Sequence, residues 1–269
     1  MPELPEIHYL ARQMNDVLCG KTIASVDVRQ EKCLNLPESS FKELIQACTI
    51  DQVFSRGKWL FLKMTNGVHL LISLGMGGEI RFHPAGESLD RKYQFLFTFT
   101  DQTSIHIAFS WFGYVHGTAK DCLIEHQMTA SLGICPLSDD FTTEHFMAML
   151  QNKKGGIKAF LMNQHHVAGI GNVYIQDILF KAGLHPNRKI STITTADQIR
   201  LHGVMVSHLQ RAADLGGLVD ETDLFGNPGR YTYDLIGHRP GVPCPNCGTA
   251  VQEIRTGSTR SFICEQCQK

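Results

Sequence analysis

Residues 59–74 read Trp-Leu-Phe-Leu-Lys-Met-Thr-Asn-Gly-Val-His-Leu-Leu-Ile-Ser-Leu, and this stretch decides the fold of the first half of the chain. Two apolar runs, Trp59–Met64 and His69–Leu74, lie on either side of Asn66-Gly67. That dipeptide favours a tight hairpin turn because both residues tolerate positive φ angles. The stretch therefore predicts two antiparallel strands.

Similar strand patterns extend on both sides, from Ile23 to about His116. Val53–Ser55 is a further short apolar segment, and phenylalanines alternate with other residues over 95–99. Side chains that alternate in this way are typical of strands with one buried face. We expect a sandwich or a barrel of short antiparallel strands.

A helix is predicted before these strands, over residues 5–18. Pro5 suits the first helical position and Glu6 suits the positive end of the helix dipole. The apolar stripe at helical spacing consists of Ile7, Leu10, Ala11, Met14 and Leu18, and Gly20 can end the helix.

The second half of the chain changes to helical patterns. Residues 118–143 contain mixed polar loops, which indicate a hinge between two domains. The predicted helices are Thr143–Leu150, Gly156–Gln164, Asn172–Ala182 and Thr195–Ala213. The fold class is therefore α+β with two domains.

Four of the nine cysteines crowd the C-terminus in two Cys-x2-Cys pairs, Cys244, Cys247, Cys264 and Cys267. This spacing is typical of a tetrahedral zinc site. Four thiolates close the coordination shell, so the sequence predicts one structural Zn²⁺ per chain. The other five cysteines are scattered and are interpreted as small apolar residues.

Charge is distributed unevenly along the chain. The net charge of −1 argues by itself against a nucleic-acid partner. Residues 151–190, however, carry six Lys or Arg residues against one Asp, whereas acidic residues concentrate in 121–144 and 214–223. A basic face or an ordinary solvated helix surface would both explain this. Without an apolar run of about 20 residues or a signal-peptide pattern, we expect a cytoplasmic protein with no membrane contact.

The first residues are Met1-Pro2-Glu3-Leu4-Pro5-Glu6, and they could supply a nucleophilic amine. Removal of Met1 would expose the secondary amine of Pro2, and a free α-amino group has a pKa of about 7.7–8.0. A helix N-terminus disfavours the charged form further, so the amine could attack a carbonyl carbon and form an iminium. Glu3 could transfer a proton. An ordinary helix start with an acidic cap is the alternative.

Two glycine-containing motifs add to this pattern. Ser55-Arg56-Gly57-Lys58-Trp59-Leu60 places Lys58 on a turn between strands, where it could project into a cleft. Gly169-Ile170-Gly171-Asn172-Val173-Tyr174 opens a helix, and its backbone N–H groups with the Asn172 amide could bind a phosphate.

Taken in order, these motifs resemble the formamidopyrimidine-DNA glycosylase/endonuclease VIII family of bifunctional repair enzymes. The matching segments span the chain and read PELPE, RGKWL, LISLGMGG, FGYV, IKAFLMNQ, GIGNVY, AGLHP, GNPG and the finger that ends CEQCQK. The resemblance implies an N-terminal β-sandwich, a helix-two-turns-helix domain with a four-cysteine zinc finger, and DNA bound between them. The implied ranges are 1–120, a hinge at 121–142, 143–232, and the finger at 233–269.

The resemblance also implies a mechanism. Pro2 attacks C1′ of the damaged nucleoside, Glu3 assists as general acid and base, and Lys58 aids catalysis and contacts phosphate. β-Elimination, usually followed by δ-elimination, then cuts the strand. The family also has a catalytic arginine in the zinc finger, and Arg260 is the candidate for it. The implied contacts with damaged double-stranded DNA are Met76, Lys92, Trp111, Phe112, Lys153, Lys158, Asn172 and Tyr174. We expect a monomer associated with the nucleoid.

Four positions depart from the family pattern. His8 stands where glutamate is common, and Trp111 replaces an arginine that reads the base opposite the lesion. The finger arginine is shifted by one residue, from the place of Thr259 to Arg260, which leaves δ-elimination open. A common histidine is replaced around Arg91-Lys92-Tyr93. The resemblance implies a DNA glycosylase that removes damaged, oxidised bases and also cleaves the strand at abasic sites; the alternative is a non-catalytic binder of damaged or abasic DNA.

Overall fold

In the computed structural model the hairpin forms where the sequence predicts it, with β3 (Trp59–Met64) paired antiparallel to β4 (His69–Ser73). Gly67 has a φ of 86°, and the Asn66 side-chain oxygen accepts a hydrogen bond from the Val68 N–H at 3.1 Å. The structure describes residues 1–87, 89, 92–120, 122–233 and 236–269.

Two four-stranded antiparallel sheets form around this hairpin. One has the strand order β2-β3-β4-β8 and the other β1-β6-β7-β5. The remaining strands are β1 (Ile23–Val28), β2 (Ile50–Arg56), β5 (Glu79–His83), β6 (Phe95–Phe99), β7 (Ser104–Ala108) and β8 (Tyr114–Thr118). Phe95, Phe97 and Phe99 are all buried in the shared core, as their alternation predicts. Of the two architectures expected from the sequence, the chain adopts the sandwich.

Helix α1 (Leu4–Leu18) confirms the predicted N-terminal helix and buries the predicted stripe against the sandwich core. The structure adds α2 (Glu38–Ile45), within the region that the sequence analysis assigned to strands. It begins after Pro37, which cannot donate a ladder hydrogen bond, and it buries Phe41 and Ile45.

The chain divides into two compact units. Unit 1 comprises residues 1–131 and 215–230, and unit 2 comprises 132–214 and 231–269. The segment 215–230 therefore packs with unit 1, although the sequence analysis placed it in the range 143–232. The reason is a contact between residues that are distant in the sequence: Leu224 is buried in the sandwich core, and its carbonyl oxygen accepts a hydrogen bond from the Phe82 N–H at 3.0 Å.

Unit 2 contains the predicted helices, with ends that differ by at most two residues. They are α3 (Thr143–Leu150), α4 (Ile157–Met162), α5 (Tyr174–Lys181) and α6 (Thr195–Asp214). Strands β9 (Gln252–Thr256) and β10 (Thr259–Ile263) form a hairpin between the two cysteine pairs. Among the described residues, no helix combines the length and the apolar character that a membrane crossing requires.

A buried lysine joins α4 to this hairpin. Lys158 is 1% exposed, and its ammonium donates hydrogen bonds to Thr259 Oγ1 (3.0 Å), the Arg260 carbonyl oxygen (2.7 Å) and Ser261 Oγ (2.8 Å). These three acceptors are neutral, so burial lowers the pKa of Lys158 from 10.5 to about 8. The lysine therefore fixes the turn of the hairpin with a charge that the interior disfavours.

This burial predicts a pH dependence of stability. Between pH 8 and pH 10.5 the folded chain has released the Lys158 proton, whereas the unfolded chain still binds it. The free energy of unfolding therefore increases as the pH rises through this range. We expect the stability of the wild type relative to Lys158→Met to increase from pH 8 to pH 10 in denaturant titrations. The exposed Lys154→Met variant is the matched control and should follow the wild type. A wild-type to Lys158→Met difference that stays constant with pH would contradict the lowered pKa.

Candidate active site

The first turn of α1 holds two buried carboxylates beside Pro2. Glu3 is the N-cap residue and is 2% exposed, and Glu6 is 3% exposed. The Glu3 side chain accepts a hydrogen bond from the Glu6 backbone N–H, and Glu6 Oε2 accepts one from the Glu3 N–H at 2.8 Å. This reciprocal capping box satisfies two N–H groups that a helix start leaves unpaired. Pro2, which is also buried, is thereby fixed just before the helix.

The turn between β2 and β3 brings Lys58 to the same place. Gly57 supports the turn with a φ of 60°, and Lys58 Nζ lies 4.0 Å from Glu3 Oε1. The Lys58 side chain is 16% exposed and the Glu3 side chain 3%. The structure thus brings together the three predicted catalytic residues of unit 1, Pro2, Glu3 and Lys58.

The segment 215–230 contributes contacts that the sequence analysis missed. The Leu218 N–H donates a hydrogen bond to Glu6 Oε1 at 2.9 Å, and a Cβ at Gly217 would lie 2.5 Å from Glu6 Cγ. The Met1 ammonium forms an ion pair with Glu221 at 3.0 Å. Glu6 was interpreted only as a helix-dipole residue. Its spacing of three from Glu3 is the capping-box signal that could have revealed this role.

Further polar contacts hold this segment to β5 and α1. Arg81 Nη2 donates hydrogen bonds to Glu79 Oε2 at 3.0 Å and to Thr222 Oγ1 at 3.1 Å. Gln13 Nε2 donates to Asp223 Oδ2 at 2.9 Å, and the hydrogen bonds to Asp223 hold the pKa of its carboxyl below the ordinary value despite partial burial. The segment next to Pro2 is therefore fixed at several points within unit 1.

Two loops of unit 1 present the predicted apolar contacts. Met76 and Trp111 form an isolated antiparallel bridge, in which the Met76 N–H donates to the Trp111 carbonyl oxygen at 2.8 Å. Met76, Trp111 and Phe112 are 47%, 66% and 72% exposed. Lys92, which precedes β6, is also exposed. Arg91, named with it as a departure from the family pattern, lies outside the described residues. His8 is half-buried and lines a cavity of about 380 Å³ between α1 and β2.

In unit 2 the predicted catalytic residue Arg260 and the predicted DNA-contact residues divide into exposed and buried groups. Lys153 is exposed, and the Arg260 side chain is 74% exposed, with Nε 3.5 Å from Glu253 Oε1. Lys158 and Tyr174 differ from the expectation of direct contact. Each is 1% exposed, because Lys158 binds the hairpin and Tyr174 packs against Tyr231 with ring centroids 5.2 Å apart.

The shifted finger arginine has a clear position. Strands β9 and β10 pair in regular register, with Arg260 opposite Arg255. Neighbouring strand residues point to opposite faces, so Thr259 turns toward Lys158 while Arg260 turns to solvent. Arg260 is therefore an exposed cation of this hairpin, as is Arg255 opposite it, in a ladder without a bulge between Thr259 and Ile263.

Asn172 lies in the glycine loop before α5. Its side-chain oxygen accepts a hydrogen bond from Gln176 Nε2 at 3.0 Å. Gln176 Nε2 also donates to the Arg260 carbonyl oxygen at 3.2 Å, and Gln176 Oε1 accepts from the Phe262 N–H at 3.2 Å. Gln176 therefore connects the loop to β10. Nothing in its type or spacing distinguished it in the sequence.

The four predicted metal ligands come together. The sulfur atoms of Cys244, Cys247, Cys264 and Cys267 all lie within 4.8 Å of one another. The Sγ–Sγ distance is 3.7 Å between Cys244 and Cys267 and 3.4 Å between Cys247 and Cys264. Hydrogen bonding to Thr249 lowers the pKa of Cys247 to about 6, whereas burial raises the pKa values of Cys264 and Cys267. The arrangement can hold one metal ion.

Comparison with known proteins agrees with this geometry. The family model for the formamidopyrimidine-DNA glycosylase N-terminal domain matches residues 1–109, and that for the H2TH domain of the same enzyme matches residues 132–222. Formamidopyrimidine-DNA glycosylase from Bacillus cereus is 31% identical over 274 aligned residues, covering 100% of this chain and 99% of the relative. The Streptococcus pneumoniae enzyme is 29% identical with the same coverage.

Solved structures show the same fold. The Lactococcus lactis Fpg structure in complex with DNA that contains N7-benzyl-Fapy-dG has a TM-score of 0.91 and 24% identity, and the match covers 100% of both chains. A complex of the same enzyme with DNA that contains an abasic site has a TM-score of 0.91, 24% identity and 99% coverage of both chains. The matches over the full length, together with the two family models, lead to one conclusion. The chain belongs to the formamidopyrimidine-DNA glycosylase family.

Proposed function

We propose that this chain excises damaged bases from double-stranded DNA and cuts the strand at the resulting abasic site, with the Pro2 amine as nucleophile. DNA glycosylase activity in base-excision repair, with abasic-site lyase activity, is the function of its family. The observation that carries the residue assignment is the capping box, which fixes the buried Pro2 next to Glu3, just before the helix start.

The chemistry begins when Met1 is removed, which also releases the Glu221 carboxylate from its ion pair. The positive end of α1 disfavours protonation of the adjacent amine and keeps its lone pair available. Attack on C1′ forms the N–C1′ bond as the glycosidic bond breaks, and the departing base takes up a proton. Opening of the sugar ring then leaves an iminium, the Schiff base.

The later steps follow from that iminium. It withdraws electrons from C1′ and acidifies the C2′ proton, so loss of this proton expels the 3′ phosphate and cuts the strand. Glu3 is the buried group next to the amine and is suited to transfer protons. Lys58, 4.0 Å from Glu3, supplies a positive charge for a phosphate of the bound strand.

We assign the phosphate contacts outside the catalytic centre to the exposed cations and to the glycine loop. Lys92 belongs to unit 1, whereas Lys153, Asn172 and Arg260 belong to unit 2. Cations that contact DNA phosphates displace the counterions bound there. This release favours binding to DNA of any base sequence. We further propose that the protein acts as a monomer in the cytoplasm, where the nucleoid holds its DNA substrate.

The ion in the finger is proposed to be Zn²⁺. Tetrahedral Zn²⁺ with thiolate bonds of about 2.3 Å separates its sulfur ligands by roughly 3.8 Å. The Sγ–Sγ distances of 3.4 and 3.7 Å agree with this separation. When bound, the ion would hold the two ends of the β9–β10 hairpin together. This hairpin carries Arg260.

The amine assignment has a direct test. Borohydride reduction of the protein on abasic-site DNA should give a covalent adduct, because it reduces the iminium to a stable amine. Trypsin cleaves after Arg12, so mass spectrometry should find the adduct on the peptide of residues 2–12. Pro2→Gly should abolish it, whereas Pro5→Ala, which changes the neighbouring proline, should retain it. An adduct on Lys58 would refute the assignment, and tight binding of abasic DNA with no adduct would favour a non-catalytic binder.

The metal assignment is tested separately. Elemental analysis of the purified protein should find one zinc per chain, and chelation should increase amide hydrogen exchange over residues 252–263 while the sandwich stays protected. Cys264→Ser should reproduce this effect, whereas Cys135→Ser, at a cysteine outside the cluster, should leave zinc content unchanged. Protein that contains no zinc, or unchanged exchange in the finger of Cys264→Ser, would contradict the assignment.

A further inference from the structure

The loops of residues 74–78 and 109–113 form one rigid apolar projection, which we call the wedge. In addition to the Met76–Trp111 bridge, the Ser110 N–H donates to the Met76 carbonyl oxygen at 3.0 Å. Gly75 has a φ of 56°, and a Cβ there would overlap the Trp111 carbonyl oxygen. The close approach of the two loops therefore requires glycine at this position.

Residues of the sandwich core support the wedge, whereas its large apolar side chains are exposed. Leu74 and Phe109 at the start of each loop are 1% and 9% exposed and belong to the sandwich core. Phe112 has a φ of 57°, a conformation that a bulky side chain rarely adopts. Strain of this kind persists where surrounding contacts impose it, and it is frequent at functional sites. A rigid surface that exposes Met76, Trp111 and Phe112 together indicates a binding partner.

The composition of the wedge restricts what it can recognise. Its ten residues include no charged side chain, and their strong side-chain hydrogen-bonding groups are the Ser110 hydroxyl and the Trp111 indole N–H. Reading a base edge with high discrimination takes a bidentate donor or acceptor such as Arg, Asn or Gln. Stacking, in contrast, is available to all four bases because each has an aromatic face.

We propose that Trp111 stacks on the base opposite the excised nucleotide and makes the enzyme indifferent to the identity of that base. This inference rests on the proposed function, because removal of a base from a duplex requires the nucleotide to leave the stack and leaves its partner unpaired. Apolar side chains inserted into a duplex occupy such a gap. The indole then holds the unpaired base by its face, and Met76 and Phe112 fill the remaining space.

Tryptophan fluorescence tests the stacking without any chemical step. The chain has two tryptophans, of which Trp59 is 6% exposed and Trp111 is 66% exposed. Duplexes with an uncleavable tetrahydrofuran abasic site should quench the emission to an extent that differs less than about twofold among the four opposite bases, since stacking is tolerant of sequence. Trp111→Phe should abolish the quenching while preserving an aromatic wedge. Unchanged emission of the wild type, or quenching with one opposite base only, would overturn the proposal.

Cleavage specificity provides the second arm. For one lesion placed opposite A, C, G or T, kcat/KM of the wild type should vary by less than about threefold, because the wedge lacks a bidentate reader. Trp111→Arg introduces such a donor and should widen the range to about fivefold or more. Ile199→Ala, which shortens an exposed apolar side chain on α6, is the control and should keep the narrow range. A narrow range in Trp111→Arg would show that position 111 does not contact the opposite base.

The two arms separate this inference from the proposed function. If all four opposite bases quench the emission equally and no duplex is cleaved, the result would contradict the catalytic assignment and support the stacking. Cleavage without quenching would support the catalytic assignment and overturn the stacking.

Discussion

The reciprocal hydrogen bonding of Glu3 and Glu6 is the constraint on which the rest of the site depends. Both carboxylates are almost completely buried, so each needs hydrogen-bond donors from the protein in place of water. Backbone N–H groups of α1 and of Leu218 supply those donors. The carboxylates in turn fix where α1 begins, and the apolar stripe of the helix fixes its axis against the sandwich. Pro2 therefore has a defined position before any substrate binds.

Buried charge of the opposite sign organises unit 2. Lys158 stabilises the hairpin by hydrogen bonding, as Glu6 stabilises the helix start. Its ammonium donates hydrogen bonds to three oxygens close to the turn of the hairpin. Removal of either side chain would leave buried polar atoms unpaired, which typically costs about 1–3 kcal/mol per group. Lys92, Lys153 and Arg260, the cations proposed to contact phosphates, are exposed, although the whole chain carries a net charge of −1. In the proposed function, the distribution of charge rather than its total accounts for DNA binding.

Local patterns predicted much of the fold. The Asn66-Gly67 turn, the α1 stripe and the Cys-x2-Cys pairs each act over a few residues, and the structure confirms all three elements. Contacts between distant residues were not predictable in this way. The return of 215–230 to unit 1 depends on the burial of Leu224, and the burial of Tyr174 depends on packing against Tyr231. Gln176 was missed for the same reason, because its partners lie up to 86 residues away.

The most direct test of this account measures how fast the amine reacts when the capping box is weakened. Glu6 accepts hydrogen bonds with both carboxylate oxygens, whereas glutamine has one acceptor oxygen. In single-turnover trapping with borohydride, we expect Glu6→Gln to slow adduct formation on abasic DNA by about tenfold or more, because loss of a charge-assisted hydrogen bond costs about 1.5–3 kcal/mol. Glu43→Gln, on the exposed side of α2, should react at the wild-type rate. A folded Glu6→Gln protein that forms the adduct as fast as the wild type would contradict the account.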